Sequence, residues 1–191
     1  MKPKNGINYL ISKGFIAKEP REQMVADIVK FLFTTPTLNK TQIGDYLGED
    51  MEVNKQVLYT HIDSFNFVNV SYIEAMKRVL ATFRMPGEGQ KVDRVMEKFG
   101  EKFCKDNQDT FGSSECVYLL SYAVMMLQTS LHNPQAQKSR MSVEDFVKMT
   151  KGINNGKDLE FEFLKGIYDH IEKEPFSLVE DDDARLKLEA Q

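Results

Sequence analysis

The segment Phe83–Arg94, Phe-Arg-Met-Pro-Gly-Glu-Gly-Gln-Lys-Val-Asp-Arg, interrupts an amphipathic helical pattern that extends over Val70–Asp106. Its middle cannot be helical, because Pro86 lacks a backbone N–H and keeps the residue before it out of the α region. Gly87 and Gly89 each disfavour a helix by about 1 kcal/mol relative to alanine. The middle of the segment is therefore predicted to be a tight loop between two helices.

A single carboxylate, that of Glu88, lies between the two glycines. A glycine-flanked loop has few side chains to cover this charge, and its backbone can come close to another surface. The pattern therefore predicts an exposed carboxylate on a short stalk. The residues alone leave a second interpretation open, in which the loop is an ordinary turn and the acid is incidental.

Two stretches of the chain resemble the two signature motifs of the Sec7 (Sec-seven) domain, the catalytic module of exchange factors for Arf-family GTPases. The first stretch is Phe83–Arg94, and the second is Cys116–Pro134, Cys-Val-Tyr-Leu-Leu-Ser-Tyr-Ala-Val-Met-Met-Leu-Gln-Thr-Ser-Leu-His-Asn-Pro. The order and separation match the family, and the likeness extends over Lys2–Phe176. Within it, Asn39–Glu49 and Thr129–Pro134 are similar to the cytohesin branch.

This resemblance implies an all-α fold, a right-handed superhelix of about ten helices with an apolar groove. It also implies guanine-nucleotide exchange, in which the groove takes the switch regions of an Arf-family small GTPase. By position, Glu88 matches the family's glutamate finger, the catalytic residue. The GTPase-binding residues implied in the same way are the polar Arg84, Lys91 and Asp93 around the finger, and the groove positions Tyr118, Met125, Met126 and Asn133.

The chain departs from the family pattern at two positions within the motifs. Gly89 stands where the family usually has Ala, which should loosen the loop slightly. Gln128 stands where Asn is usual. Its side chain is one methylene longer, so any hydrogen bond made at this position must have a different geometry. The alternative is a helical scaffold that binds an Arf-type protein without exchanging its nucleotide; Gln128 favours it, as does the absence of a family helix before Lys2.

Sensitivity to brefeldin A, which wedges between some family members and Arf–GDP, depends on a further set of positions. The resemblance associates it with a Tyr-Ser pair, an Asp and a downstream Met. This chain has Tyr122 followed by Ala123, with Ser130 in place of the Asp and Met141 as the methionine. We therefore expect a largely resistant protein.

Composition restricts the class of protein. A chain of 191 residues with 41% hydrophobic residues fits one domain with a real core, over residues 1–191. The net charge of -4 disfavours nucleic acid as a partner. Cys104 and Cys116 do not show the paired spacing of a disulfide framework. No signal peptide opens the chain. The longest apolar run, Cys116–Leu127, is too short to span a membrane. These features predict a cytoplasmic protein.

The resemblance adds two expectations about the parent protein. A helix normally precedes the segment that begins at Lys2, so the chain is expected to be a piece of a longer protein. Recruitment to membranes would be peripheral, through the GTPase or through domains outside this chain.

Helical periodicity runs through the whole sequence. The predicted helices are Pro3–Ser12, Pro20–Phe33, Lys40–Leu47, Val53–Ser64, Ser71–Met85, Gln90–Asp106, Ser114–Leu131, Val143–Lys151 and Leu159–Lys173. Asn39 and Asp158 are predicted caps, Ser142 with Asp145 a capping box, and the acidic run Glu180–Asp183 the start of a helix in the tail. Ser114–Leu131 is hydrophobic on nearly every face, which predicts a buried central helix. On periodicity alone, Met125 and Met126 belong to the core, although methionine also suits an adaptable groove.

The sequence offers little support for other chemistry. His61, His132 and His170 lie far apart, without metal-ligand spacing, so no metal and no cofactor are expected. No phosphate-binding loop of the Walker type is present, and Ser114 and Ser121 have no histidine partner nearby in sequence. A hydrolase that uses Glu88 as general base would lack a metal, a histidine or a second acid beside it.

Overall fold

A computed structural model of the chain describes residues 3–133 and 140–176. Within these ranges the chain is helical and has no strand, apart from one isolated bridge between Asn154 and Lys157. The all-α fold class predicted from the sequence is therefore confirmed. The helices are α1 (Pro3–Ser12), α2 (Arg21–Thr34), α3 (Lys40–Gly48), α4 (Glu52–Asp63), α5 (Tyr72–Leu80), α6 (Gly89–Asp106), α7 (Ser114–His132), α8 (Val143–Met149) and α9 (Phe161–Lys173). The predicted acidic helix start at Glu180–Asp183 lies outside the described residues.

Two helices begin at the caps that the sequence predicted. At α3, the Asn39 side chain accepts a hydrogen bond from the Gln42 N–H at 3.1 Å. At α8, Ser142 and Asp145 form both bonds of a capping box. Each cap satisfies backbone N–H groups that have no partner within the first turn of a helix.

Two other predicted starts were wrong. Pro20 is the N-cap of α2, with φ -68° and ψ 162°, and not its first helical residue. The fixed φ of proline suits both positions, so the sequence could not distinguish them. The predicted cap Asp158 does not begin α9, which starts at Phe161; its carboxylate instead accepts a hydrogen bond from the Gly152 N–H at 2.8 Å and closes a turn.

The helix before the loop ends earlier than predicted, at Leu80 and not at Met85. The N–H and the hydroxyl of Thr82 both donate to the Val79 carbonyl, at 3.0 and 2.8 Å. A continuing helix would need that carbonyl for the N–H four residues further on, so the turn ends the helix. At the other side of the loop, α6 begins one residue before its predicted start and includes Gly89.

The described residues form two compact units, to both of which α5 and α6 contribute. The first comprises residues 3–66 and 78–98, and the second comprises residues 67–77, 99–133 and 140–176. In the first unit α2 and α3 pack on α4, and in the second α7 and α8 pack on α9. This division does not test the prediction of a single domain, which stays a prediction.

A buried histidine lies at the centre of the first unit, on α4. His61 stacks on the Phe33 ring with 3.4 Å between ring centroids, and its Nε2 lies 3.0 Å from the Thr82 hydroxyl oxygen. Because that hydroxyl donates to a backbone carbonyl, it accepts from His61, so Nε2 carries a proton. Burial lowers the pKa of His61 to about 4.

This histidine predicts a pH-dependent stability. Unfolding restores the ordinary pKa of about 6.5, so the unfolded chain binds more protons between pH 6.5 and about 4. Its contribution is complete above pH 6.5 and is lost as the pH falls. The free energy of unfolding, from urea titrations, should be about 2 kcal/mol lower at pH 5 than at pH 7. His61→Gln should show a flatter pH dependence, and an unchanged slope in this variant would contradict the assignment.

The second unit has an aromatic core beside α7. Neighbouring rings in this core have centroids 5.8 to 6.2 Å apart and form edge-to-face or tilted pairs. The rings are those of Phe67, Tyr72, Phe99, Phe103 and Phe111. Tyr72 adds a hydroxyl group to this cluster, and that hydroxyl donates to the fully buried Ser121 side chain at 3.0 Å. Ser121 donates in turn to the Val117 carbonyl at 2.7 Å, so both hydroxyls are satisfied in the core. Among the described residues, no helix is both long and apolar enough to cross a membrane.

Candidate functional site

The loop between α5 and α6 ends with Glu88, directly before the first helical residue. The Glu88 carbonyl accepts the N–H groups of Lys91 and Val92, at 3.0 and 3.1 Å, which makes Glu88 the N-terminal flanking residue of α6. Its side chain is 63% exposed. The partial positive charge of a helix N-terminus favours a carboxylate at this point. The predicted exposure of the Glu88 carboxylate is confirmed.

The two glycines beside Glu88 form a bare tip. A Cβ added at Gly87 or at Gly89 would meet no atom within 4 Å, and neither residue has a left-handed backbone. The conformation of the loop and its packing within the chain therefore do not require glycine at these positions. What glycine provides here is a surface that another molecule can approach closely.

The start of the loop is fixed against α3 in the first unit. Phe83 is fully buried, and the Arg84 N–H donates to the Lys40 carbonyl at 3.1 Å. A Cβ added at Gly44 would lie only 1.8 Å from the Arg84 carbonyl oxygen. Glycine is therefore required at this position of α3, since any side chain would push the loop away.

The end of the loop is held by the same helix. The Lys91 ammonium donates to the Glu49 carboxylate at 2.7 Å and lies 3.5 Å from that of Glu88. The hydrogen bond with Glu49 is the largest cause of the raised pKa of Lys91. A Cβ added at Gly48 would lie 2.6 Å from the Lys91 Cβ, so the stem of the lysine rests directly on the end of α3. Among the predicted site residues, the structure thus brings Lys91 to the finger carboxylate.

The other two polar residues predicted around the finger are half-buried. Arg84 lies in the loop, and Asp93 lies in the second turn of α6. Sequence reasoning missed the contribution of α3, namely Gly44, Gly48 and Glu49. They belong to Asn39–Glu49, a stretch that indicated only similarity to the cytohesin branch. Gly44 and Gly48 are four residues apart and so lie on one face of a helix, which was the available sign that another segment packs closely there.

The predicted apolar residues of the second unit lie on α7. Tyr118 and Met125 are half-buried, and Met126 is 54% exposed. The Tyr118 ring packs edge-to-face on Tyr122 with 5.3 Å between centroids. The core position that periodicity alone predicted for Met126 is therefore wrong. Much of the apolar surface of α7 is buried, so its exposed methionine is a candidate contact for a partner.

Two polar residues of the second motif have different surroundings. Asn133 is the exposed C-terminal cap of α7, and its N–H donates to the Thr129 carbonyl at 2.9 Å. Gln128 is only 3% exposed, and its side-chain oxygen accepts the Phe176 N–H at 3.1 Å. The longer amide therefore makes a hydrogen bond inside its own unit. Over residues 3–133 and 140–176, no group of three or more His, Cys, Asp or Glu could hold a metal ion.

The exposed carboxylate and the helical fold can now be compared with known proteins. Residues 1–176 match a family model described as the Sec7 domain. The chain belongs to the Sec7 domain family.

Two curated relatives show how similar the chain is to other members. Human cytohesin-2 is 44% identical over 95% of this chain and 44% of its own length. The brefeldin A-inhibited guanine nucleotide-exchange protein 2 of Arabidopsis thaliana is 42% identical over 95% of this chain and 10% of its own length. The chain thus spans less than half of either relative, and the resemblance to the cytohesins is confirmed.

A solved structure gives the same result for the fold. A Sec7 domain bound to ARF1-GDP and complexed with brefeldin A is similar at a TM-score of 0.82 with 35% sequence identity. The likeness covers 94% of this chain and 89% of that chain.

Proposed function

We propose that this chain is a guanine-nucleotide exchange factor for an Arf-family small GTPase and that Glu88 is its catalytic finger. The observation that carries the proposal is the exposed Glu88 carboxylate at a bare glycine tip. Family membership supports it, as do a similar protein named for guanine-nucleotide exchange and a similar domain solved with ARF1-GDP.

The mechanism follows from what holds GDP in a GTPase. A P-loop lysine and Mg²⁺ bind its β-phosphate. The carboxylate of Glu88, inserted there, repels the phosphate, offers the lysine another partner and takes the place of the metal. At about 4 Å and an effective dielectric constant near 20, two like charges repel by about 4 kcal/mol. That repulsion alone corresponds to about three decades in nucleotide affinity.

The remaining predicted residues supply binding to the GTPase. Burial of the apolar surface of Tyr118, Met125 and Met126 against the switch regions would provide the free energy that drives the insertion. The polar contacts would come from Arg84, Lys91, Asp93 and Asn133. No covalent bond changes, so the chain accelerates dissociation and performs no group transfer.

The alternative is a helical scaffold that binds an Arf-type protein without exchange. One sequence feature in its favour was Gln128. That residue is buried and bonded to Phe176 within its own unit, so it does not alter an exposed binding surface. No described feature now favours the scaffold over an exchange factor.

Thermodynamic linkage provides the experiment that separates the two. A protein that weakens GDP binding must itself bind the nucleotide-free GTPase more tightly than the GDP-bound form, by the same factor. In gel filtration, the chain should form a stable complex with nucleotide-free Arf that added GDP dissociates. A complex that is equally stable with and without GDP would support the scaffold and contradict the proposal.

The proposed function also sets the expected location. The chain would act in the cytoplasm, where its GTPase partner binds nucleotide. Association with membranes would be peripheral, through the GTPase or through other parts of the parent protein.

Truncation of Met126 tests the binding surface. Met126→Ala should weaken Arf binding about tenfold or more, because a buried methionine side chain contributes about 1.5–3 kcal/mol. Its melting temperature should stay close to that of the parent, since the side chain is 54% exposed in the free chain. The measurement is the exchange rate as a function of Arf concentration. Met149→Ala, which truncates an exposed methionine on α8, is the matched control.

The outcome that contradicts this assignment is a stability defect without a binding defect. If Met126→Ala melts far below the parent and binds Arf normally when folded, the residue belongs to the core. Tyr118→Ala is expected to weaken binding as well, with some loss of stability because its ring packs on Tyr122.

A further inference from the structure

We infer that Glu49, at the end of α3, is a positioning residue for the Glu88 finger, and that it acts by holding Lys91. This inference rests on the proposed function and concerns a residue outside both signature motifs. Glu49 flanks the last residue of α3, and its carboxylate is half exposed.

The charge arrangement around the finger has a single shared cation. The Lys91 ammonium lies between two carboxylates, at 2.7 Å from Glu49 and at 3.5 Å from Glu88. Only the shorter contact is within ordinary hydrogen-bond distance for an ammonium and a carboxylate. In the free chain Glu49 is therefore the main partner of Lys91, and Glu88 is the secondary one.

The lysine cannot easily leave this position. Its side chain is only 15% exposed, although both carboxylates are half exposed or more. Its stem rests on Gly48, and the neighbouring Arg94 donates to the Gly48 carbonyl. The start of α6 is thus fixed to the end of α3 on both sides of the ammonium.

Competition between the two carboxylates determines how freely the finger can move. Glu88 must leave its contact with Lys91 to enter a nucleotide site. With Glu49 present, that contact is long and weak. If Glu49 loses its charge, Lys91 turns toward Glu88, which lies three residues earlier at the N-terminal flank of α6, and the closer pair must be broken at each insertion.

The test is Glu49→Gln, which keeps the size of the side chain and removes its charge. At saturating Arf–GDP, kcat for GDP release should fall about two- to fivefold, as expected for a strengthened exposed ion pair. KM for Arf–GDP should stay nearly unchanged, because the apolar contacts are intact. The loss should shrink at high salt, which screens the pair between Lys91 and Glu88. Asp45→Asn, an exposed carboxylate one turn earlier on α3, is the matched control and should have no effect.

A double-mutant cycle shows whether Glu49 acts through the lysine. In a Lys91→Met background, which itself alters exchange, Glu49→Gln should have no further effect on kcat. An additional loss of the same size in that background would show that Glu49 acts independently, and it would overturn the inference. A parent rate in Glu49→Gln, or a defect in KM alone, would overturn it as well.

These outcomes differ from a failure of the proposed function. If the parent chain does not accelerate GDP release at all, exchange itself is refuted. If the parent chain is active and Glu49→Gln matches it at every salt concentration, only the positioning role of Glu49 is refuted.

Discussion

Glu88→Lys should abolish nucleotide exchange and leave the fold intact. The substitution replaces a carboxylate that repels phosphate with an ammonium that attracts it. The charge of the finger is therefore reversed, and the side chain would favour bound GDP. Removal of about 4 kcal/mol of repulsion corresponds to a loss of about three decades in the exchange rate. Glu88→Gln should retain slightly more activity, because it removes the charge without reversing it.

Helical circular dichroism and melting temperature serve as the controls for this variant. Both should match the parent, because the side chain is exposed and its ion pair with Lys91 is long, at 3.5 Å. Glu97→Lys makes the same charge change at another exposed glutamate of α6 and should exchange normally. Exchange at the parent rate in Glu88→Lys would refute the assignment of the finger.

Brefeldin A is expected to inhibit this chain only weakly. Ala123 lacks the hydroxyl that the resemblance associates with sensitivity, and Ser130 lacks an acceptor charge. The structure shows that the Ser130 hydroxyl oxygen already accepts the Met141 N–H at 2.7 Å, so it is engaged within the chain. Polar groups of a drug that stay unpaired at a desolvated interface cost about 1–3 kcal/mol each. Two such losses raise the inhibitory concentration by about two decades.

The decisive measurement is a brefeldin A titration of the exchange rate. The double variant Ala123→Ser, Ser130→Asp should become about a hundredfold more sensitive than the parent. Each single variant should recover part of this effect. Strong inhibition of the unmodified chain would contradict the argument, and so would a double variant that stays resistant while it exchanges at the parent rate.

The sequence predicted the finger loop well because the responsible physics is local. Pro86 and Gly87 disfavour a helix whatever surrounds them, and the loop does extend to Glu88, although Gly89 is already the first residue of α6. The same holds for the caps at Asn39 and Ser142, where a side chain bonds a backbone group three residues away. Such features depend on neighbouring residues alone, so they can be derived without a structure.

The end of α5 could not be predicted in the same way. The apolar periodicity continues through Phe83, which is indeed fully buried, although the helix has already ended at Leu80. Phe83 is buried without being helical, because Thr82 closes a turn that ends the helix and the start of the loop packs on α3. Periodicity reports which residues are buried and cannot report which backbone conformation buries them.

Exposure on α7 and the role of α3 depended on tertiary packing. Met126 belongs to an almost wholly apolar helix, so only the packing of the other elements determines that its side chain stays exposed. Glu49 and Lys91 are far apart in sequence, and their 2.7 Å contact exists because Gly48 admits the lysine stem. Neither feature follows from a pattern within one helix.

The release of a fluorescent GDP analogue from a purified Arf GTPase tests the central claim most directly. The chain is added substoichiometrically in the presence of excess GTP. The account predicts that each chain releases many GDP molecules and that the observed rate rises in proportion to the chain concentration, as for any catalyst. Release at the intrinsic rate, or at most one GDP released per chain, would contradict it.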